Sequence, residues 1–207
     1  SGSMLKLLQE SKKKYIIFTS DEDPVIIKNA ISSIDYMKDS KIDFLVPQFF
    51  RPNRFYRGKA NNYKLPPQDY AKGSFYTSGI IFNSILLKNY LTLIQKHITR
   101  DQVYPEIIFA IVPAIFGNCS YYNLPVTYFS VMMHTYSHQD VEEGKYNCLI
   151  ERWRQFQKFM TFFNDLKKIT NDRLFQENIT IAMKSSADNV FFGLKNAAKR
   201  EFPDLFQ

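Results

Sequence analysis

Two cysteines, Cys119 and Cys148, are all that 207 residues contain. That is too few for a disulfide framework, so burial of apolar surface has to hold the fold, and a reducing, cytoplasmic setting is expected. Long hydrophobic runs are also lacking: the longest, IIFAIVPAIF at 107–116, stops at ten residues and contains a proline. Crossing a bilayer takes about 20 apolar residues, so no transmembrane helix is expected. Ser1 to Ser3 ahead of Met4 are set aside as an expression remnant, and nothing after Met4 has the pattern of a signal peptide. There is no internal repeat and no low-complexity linker. Negative charge is in deficit, with 27 Lys and Arg against 20 Asp and Glu and a formal charge of +7. Such a balance favours acidic partners: nucleotides, nucleic acid or anionic lipid surfaces.

Aromatic residues, in contrast, are plentiful. With 45% apolar residues, 19 Phe and 13 Tyr, the chain has ample material for a packed core. Its length suits one domain with an appended helical piece.

LKLLQESKKK, 5–14, reads as the last turns of a helix with Leu5, Leu7 and Leu8 inward, and YIIFTS, 15–20, as a buried strand. Asp21, Glu22 and Asp23 follow at the strand's C-terminal end, the edge where open α/β sheets bind ligands. Adjacent carboxylates repel one another and need solvent, a cation or a metal. Two readings fit them. Asp-X-Asp at a strand end can hold a hard divalent ion that bridges to diphosphate oxygens. Alternatively, Asp23 caps a helix that opens at Pro24 and carries Val25, Ile26, Ala30, Ile34 and Met37 on one face.

Downstream, KIDFLVPQFF at 41–50 reads as a second strand, and residues 51–73, polar and basic with no period, as a long loop. SFYTSGIIFN at 74–83 suggests a strand or tight turn, followed by a helix over 84–98. A second, apolar helix ends at Gly117, and 118–134 gives one or two short β segments. From about 145 the pattern is helical: one long amphipathic helix, then two more at 172–184 and 186–200.

In this order the pieces resemble the second half of a family 2 glycosyltransferase of the GT-A fold. LKLLQESKKKYIIFTSDEDPV is similar to the helix and strand that lead into the family's metal-binding Asp-X-Asp, and VIIKNAISSIDYMKDSKIDFLVP to the helix and strand after it. KGSFYTSGIIFNSILLKNYL resembles the acceptor-side segment, and RDQVYPEIIFAIVPAIFGNCSYYNLPVTYF the catalytic-acid helix and its following strand. The fold this implies is α/β: a partial GT-A-like mixed sheet flanked by helices over 4–144, with a helical C-terminal extension over 145–207.

The resemblance also implies roles. Asp21 and Asp23 fall on the metal and diphosphate motif for Mn²⁺ or Mg²⁺, and Gly73 and Ser74 on the donor and acceptor segment. Asp101 falls on the general base, although Arg100 stands where the family has Glu. His134 falls where some relatives place a histidine near the donor phosphates, with His138 as the competing choice. Arg152-Trp153 matches part of a pattern of processive synthases, but Leu149 replaces its Gln, so Trp153 reads as packing or acceptor contact. The basic aromatic stretch RPNRFYRGKANNYK, 51–64, offers nucleobase stacking, a sugar platform or a lid, and the resemblance favours a lid at the acceptor.

The implied activity is inverting transfer from a nucleotide-sugar donor, a UDP-sugar, to a saccharide or lipid-linked acceptor in bacterial surface polysaccharide synthesis. Only a short stretch precedes Asp21, so on this resemblance the family's base-binding half is expected to be missing from these residues. The expectation is therefore a fragment, a half completed by a homodimer or partner chain, or a non-catalytic interaction module that completes a sheet with another chain. Nucleic acid is the less favoured partner. The basic tail suits either a solvated face or peripheral association with the inner membrane.

Overall fold

The computed structural model describes residues 2–19, 23–51, 54–55, 63–70, 78–98, 105–128 and 148–206. The chain divides into two compact units, Ser1–Met132 and Met133–Gln207.

The first unit is built on a six-stranded mixed sheet with helices against it. Its strands are β1 (Tyr15–Ile17), β2 (Phe44–Arg51), β3 (Arg54–Phe55), β4 (Tyr63–Lys64), β5 (Ile81–Asn83) and β6 (Cys119–Tyr128). Their order is β1-β5-β2-β6-β4, with β3 paired to β2. β5 is antiparallel to both β1 and β2, and β2 is parallel to β6. Consequently β1, β2 and β6 run in the same direction, and their C-terminal ends share one edge of the sheet. The β2–β6 register shifts around Gln48, opposite Pro125, where Pro47 and Pro125 each lack the N–H a regular ladder needs.

Side-chain alternation sends one set of residues to each face. Leu45, Ile81, Tyr122 and Val126 pack with Ala30 and Met37 of α2 (Ile27–Asp39). On the other face Phe18, Phe44 and Phe82 meet Phe109 of a later helix: Phe44 stacks on Phe82 at 4.7 Å, and Phe18 lies 5.5 Å from Phe82 and 5.7 Å from Phe109. Strands covered on both faces read as continuous apolar runs, which is how Phe44–Val46 and Ile80–Phe82 look.

Among the described residues, three further helices lie between β5 and β6: α3 (Ser84–Asn89), α4 (Leu91–His97) and α5 (Pro105–Phe116). The single helix expected over 84–98 is thus two, separated at Tyr90, which stacks on Phe116 at 4.6 Å. The 51–73 stretch, expected as loop, instead contributes β3 and β4 and a 3₁₀ turn at Pro67–Asp69. Leu65 and Tyr70 from it are buried, and burial pushes the Tyr70 hydroxyl well up. The two-residue strands β3 and β4 are held by pairing with β2 and β6, which the local composition does not signal.

α1 (Gly2–Glu10) buries Leu8 and half-buries Leu5, whereas Leu7, expected inward, is 53% exposed. Leu5 and Leu8 are three residues apart and share a face, but Leu7 lies about 200° around the helix from Leu5.

The start of β2 and the end of α5 are joined by Asp43. Its carboxylate accepts from Asn83 Nδ2 (2.8 Å) and from the Asn118 N–H (3.0 Å). The approach is close enough that a Cβ on Gly117 would lie 2.8 Å from Asp43 Oδ2 and 2.8 Å from Leu86 Cδ2.

The second unit is an antiparallel pair, α6 (Leu149–Ile169) and α7 (Arg173–Glu201). Asp172 caps α7 by accepting from the Leu174 and Phe175 N–H groups. Where two helices were expected over 172–200 there is one, because no glycine or proline interrupts 173–192 and Ser186 is buried rather than capping a break. Among the described residues no helix is long and apolar enough to cross a membrane.

Candidate functional site

The site grows from the end of β1. Phe18 extends the pairing with the segment before β5: its N–H donates to the Ile80 carbonyl (3.0 Å), and the Gly79 N–H donates to the Phe18 carbonyl (2.7 Å). Gly79 has φ 85°, a left-handed conformation that side chains resist. It lets the chain turn into β5 while Ser78 stays beside the end of β1.

Asp23 is buried at 8% exposure, and Ser78 Oγ donates to its Oδ2 at 2.5 Å. The Asp23 carbonyl accepts from Thr19 Oγ1 at 2.8 Å, so the two ends of the 20–22 segment are tied together. Beyond Asp23 the chain crosses to β6. The Tyr128 N–H donates to the Pro24 carbonyl (3.0 Å), Val25 bridges Thr127, and the Ile26 N–H donates to the Val126 carbonyl (2.7 Å).

These contacts correct the capping alternative. α2 starts at Ile27, its N-cap Ile26 has no side-chain cap, and Asp23 lies before the segment that pairs with β6. Its carboxylate is held by Ser78 instead, at the shared C-terminal edge of β1, β2 and β6. The N-terminal part of α5 reaches this side of the sheet as well, since Phe109 packs against Phe18.

Of the other residues singled out in the sequence, Asp21, Gly73, Ser74, Asp101, His134 and His138 lie outside the described residues. Among the described residues no group of three His, Cys, Asp or Glu is arranged to hold a metal. Asp23 alone supplies a hard carboxylate donor, oriented by a hydroxyl, which is how ligands of Mg²⁺ or Mn²⁺ are commonly fixed. A single carboxylate is compatible with such an ion but does not by itself make a site for it.

Sequence reading missed Ser78 and Thr19. The signal was present in the Ser78-Gly79 pair immediately before an apolar strand, a place where glycine marks a close backbone turn.

A mixed sheet covered by helices, with its parallel strands ending at one buried aspartate, defines an α/β chain of GT-A-like form with a helical C-terminal extension. Among solved structures it is similar to that of S. aureus TarS, residues 1–349, in complex with UDP-GlcNAc, with a TM-score of 0.65 and 9% sequence identity. The match covers 94% of this chain and 54% of that one, so the chain spans about half the length of the TarS chain it matches. At this identity the likeness is one of fold alone. No family model matches the chain, and no curated protein does.

Proposed function

We propose that this chain is the metal- and acceptor-side part of a glycosyltransferase that moves a sugar from a nucleotide-sugar donor to a saccharide or lipid-linked acceptor, with inversion, in bacterial surface polysaccharide synthesis. One observation carries the reading: the buried Asp23 carboxylate, oriented by Ser78 at the C-terminal edge of β1, in a fold shared with a protein bound to UDP-GlcNAc.

In this reading Asp21 and Asp23, with His134, hold Mn²⁺ or Mg²⁺, and Gly73 and Ser74 line the donor and acceptor segment. The ion, when bound, supplies positive charge against the departing diphosphate. Asp101 takes the acceptor hydroxyl proton as that oxygen bonds to the anomeric carbon and the bond to the diphosphate oxygen breaks. Ser78 holds Asp23 in place, and Gly79 holds Ser78.

A second reading is supported by the sheet order. β1, only three residues long, is one of the two outer strands among the described residues, β4 being the other. A partner chain adding a strand there would complete a larger sheet, with this chain serving as an interaction module. Sedimentation equilibrium separates the two, because an obligate dimer or hetero-complex without nucleotide affinity favours the module.

The test of the first reading is a thermal-shift panel of nucleoside diphosphates and nucleotide sugars, each with and without Mn²⁺. A diphosphate present at about 100 times its Kd adds about 2.7 kcal/mol, a rise of roughly 5–10 °C for a chain of this size. UDP and UDP-sugars are expected to raise the midpoint in Mn²⁺. A panel with no response under any condition contradicts the reading.

A further inference from the structure

At the other end of β1 lies a feature that the candidate site does not use. The turn from α1 into β1 and the start of α3 form an open groove of about 840 Å³ whose lining includes Lys12, Lys13, Lys14, Lys88 and Ile85, with Glu10 as its one acid.

The backbone of this turn is pinned. Ser84 Oγ donates to the Lys13 carbonyl (2.5 Å), and the Ser84 N–H donates to the Lys14 carbonyl (2.8 Å). Lys88 Nζ donates to the Ser11 carbonyl, and Ser11 Oγ accepts from the Lys13 N–H (3.3 Å). With the Lys13 and Lys14 carbonyls held by α3, the backbone of the turn is set and Lys12, Lys13 and Lys14 stand exposed side by side along it. Glu10 does little to offset them, being 3.9 Å from Lys6 on its own helix.

Apolar groups accompany this charge. Ile85 is 55% exposed within the groove. Leu7, 53% exposed, lies one helical turn before Ser11, whose N–H donates to its carbonyl (3.0 Å). Lysines beside protruding aliphatic side chains suit a surface that is anionic outside and apolar beneath. Nucleic acid would call for exposed aromatic rings to stack bases, whereas Tyr15, beside the groove, is half-buried with Lys14 Nζ 5.3 Å over its ring.

We propose that this groove is a docking surface for an anionic lipid bilayer, with Lys12, Lys13, Lys14 and Lys88 meeting headgroup phosphates and Ile85 and Leu7 entering the headgroup boundary. The inference does not rest on the nucleotide-sugar reading. It places the bilayer at the N-terminal end of β1, the end of the strand opposite the Ser78–Asp23 contact. The candidate site would then face away from the lipid.

The test is co-sedimentation of the whole chain with phosphatidylcholine vesicles, with and without phosphatidylglycerol. Binding is expected only when phosphatidylglycerol is present, and it should fall steeply as salt is raised to about 0.5 M and the screening length shortens. The variant Lys12→Ala/Lys13→Ala/Lys14→Ala should lose about 100-fold in partitioning, from the usual contribution of a basic residue near an anionic surface. A second readout does not depend on that variant folding. Ile85→Trp in a Trp153→Phe background should show a blue-shifted emission on phosphatidylglycerol vesicles and none on neutral ones. The proposal is overturned by equal binding to neutral vesicles, by an unshifted Ile85→Trp spectrum, or by a triple variant that is folded yet binds as wild type. Binding of inositol hexakisphosphate at the groove without vesicle binding overturns it too, in favour of a soluble polyanion.

Discussion

Ser78→Ala tests the local architecture of the site. The change removes the hydroxyl that donates to Asp23 Oδ2 at 2.5 Å, while Asp23 itself is 8% exposed. Hydrogen bonds to charged groups contribute about 1.5–3 kcal/mol, and this partly buried bond falls within that range. The free energy of unfolding should fall by about that amount, read from equilibrium urea unfolding. Asp23→Ala in the same background gives the coupling: the double variant should lose about 1.5–3 kcal/mol less than the two single losses together, because both delete one interaction. Additive losses, within about 0.5 kcal/mol, would refute the claim that Ser78 orients Asp23.

Two further outcomes follow from the packing. Gly117→Ala places a Cβ 2.8 Å from both Asp43 Oδ2 and Leu86 Cδ2, so it should destabilise by about 1–3 kcal/mol through forced displacement of the Asp43 junction, measured by urea unfolding. Cys119 is buried, and burial together with the Asp43 carboxylate pushes its thiol far up, whereas Cys148 is half-buried. Alkylation of the native protein at pH 8 should therefore label Cys148 first, with Cys119 reacting only on unfolding, as mass spectrometry of digested samples would show.

The sequence carried the overall order of elements because burial imposes period and composition on them. YII, FLVP and IIFN are apolar on both sides and could be read as covered strands, and the apolar run 107–116 as a helix ending at Gly117. It was less informative where tertiary pairing overrides local signals. β4 is two residues held by β6, so nothing in KANNYK announces it. The placement of Asp23 depends on Pro24–Ile26 running beside β6, residues a hundred positions away, and local propensity instead suggested a cap. Leu7 was misplaced because three nearby leucines cannot all share one face of a helix. Asp23 was legible as a candidate from its position after a strand. For its partner Ser78 the sequence signals only a close turn, through the Ser78-Gly79 pair before an apolar strand; the contact with Asp23 spans 55 residues and leaves no local trace.

The central claim is that Asp23 serves a metal-dependent diphosphate site. The measurement that tests it most directly is calorimetric titration of the chain with uridine diphosphate, with and without Mn²⁺, repeated on Asp23→Ala. The account predicts binding that requires both the ion and Asp23. Equal binding by Asp23→Ala, or binding indifferent to Mn²⁺, would contradict it.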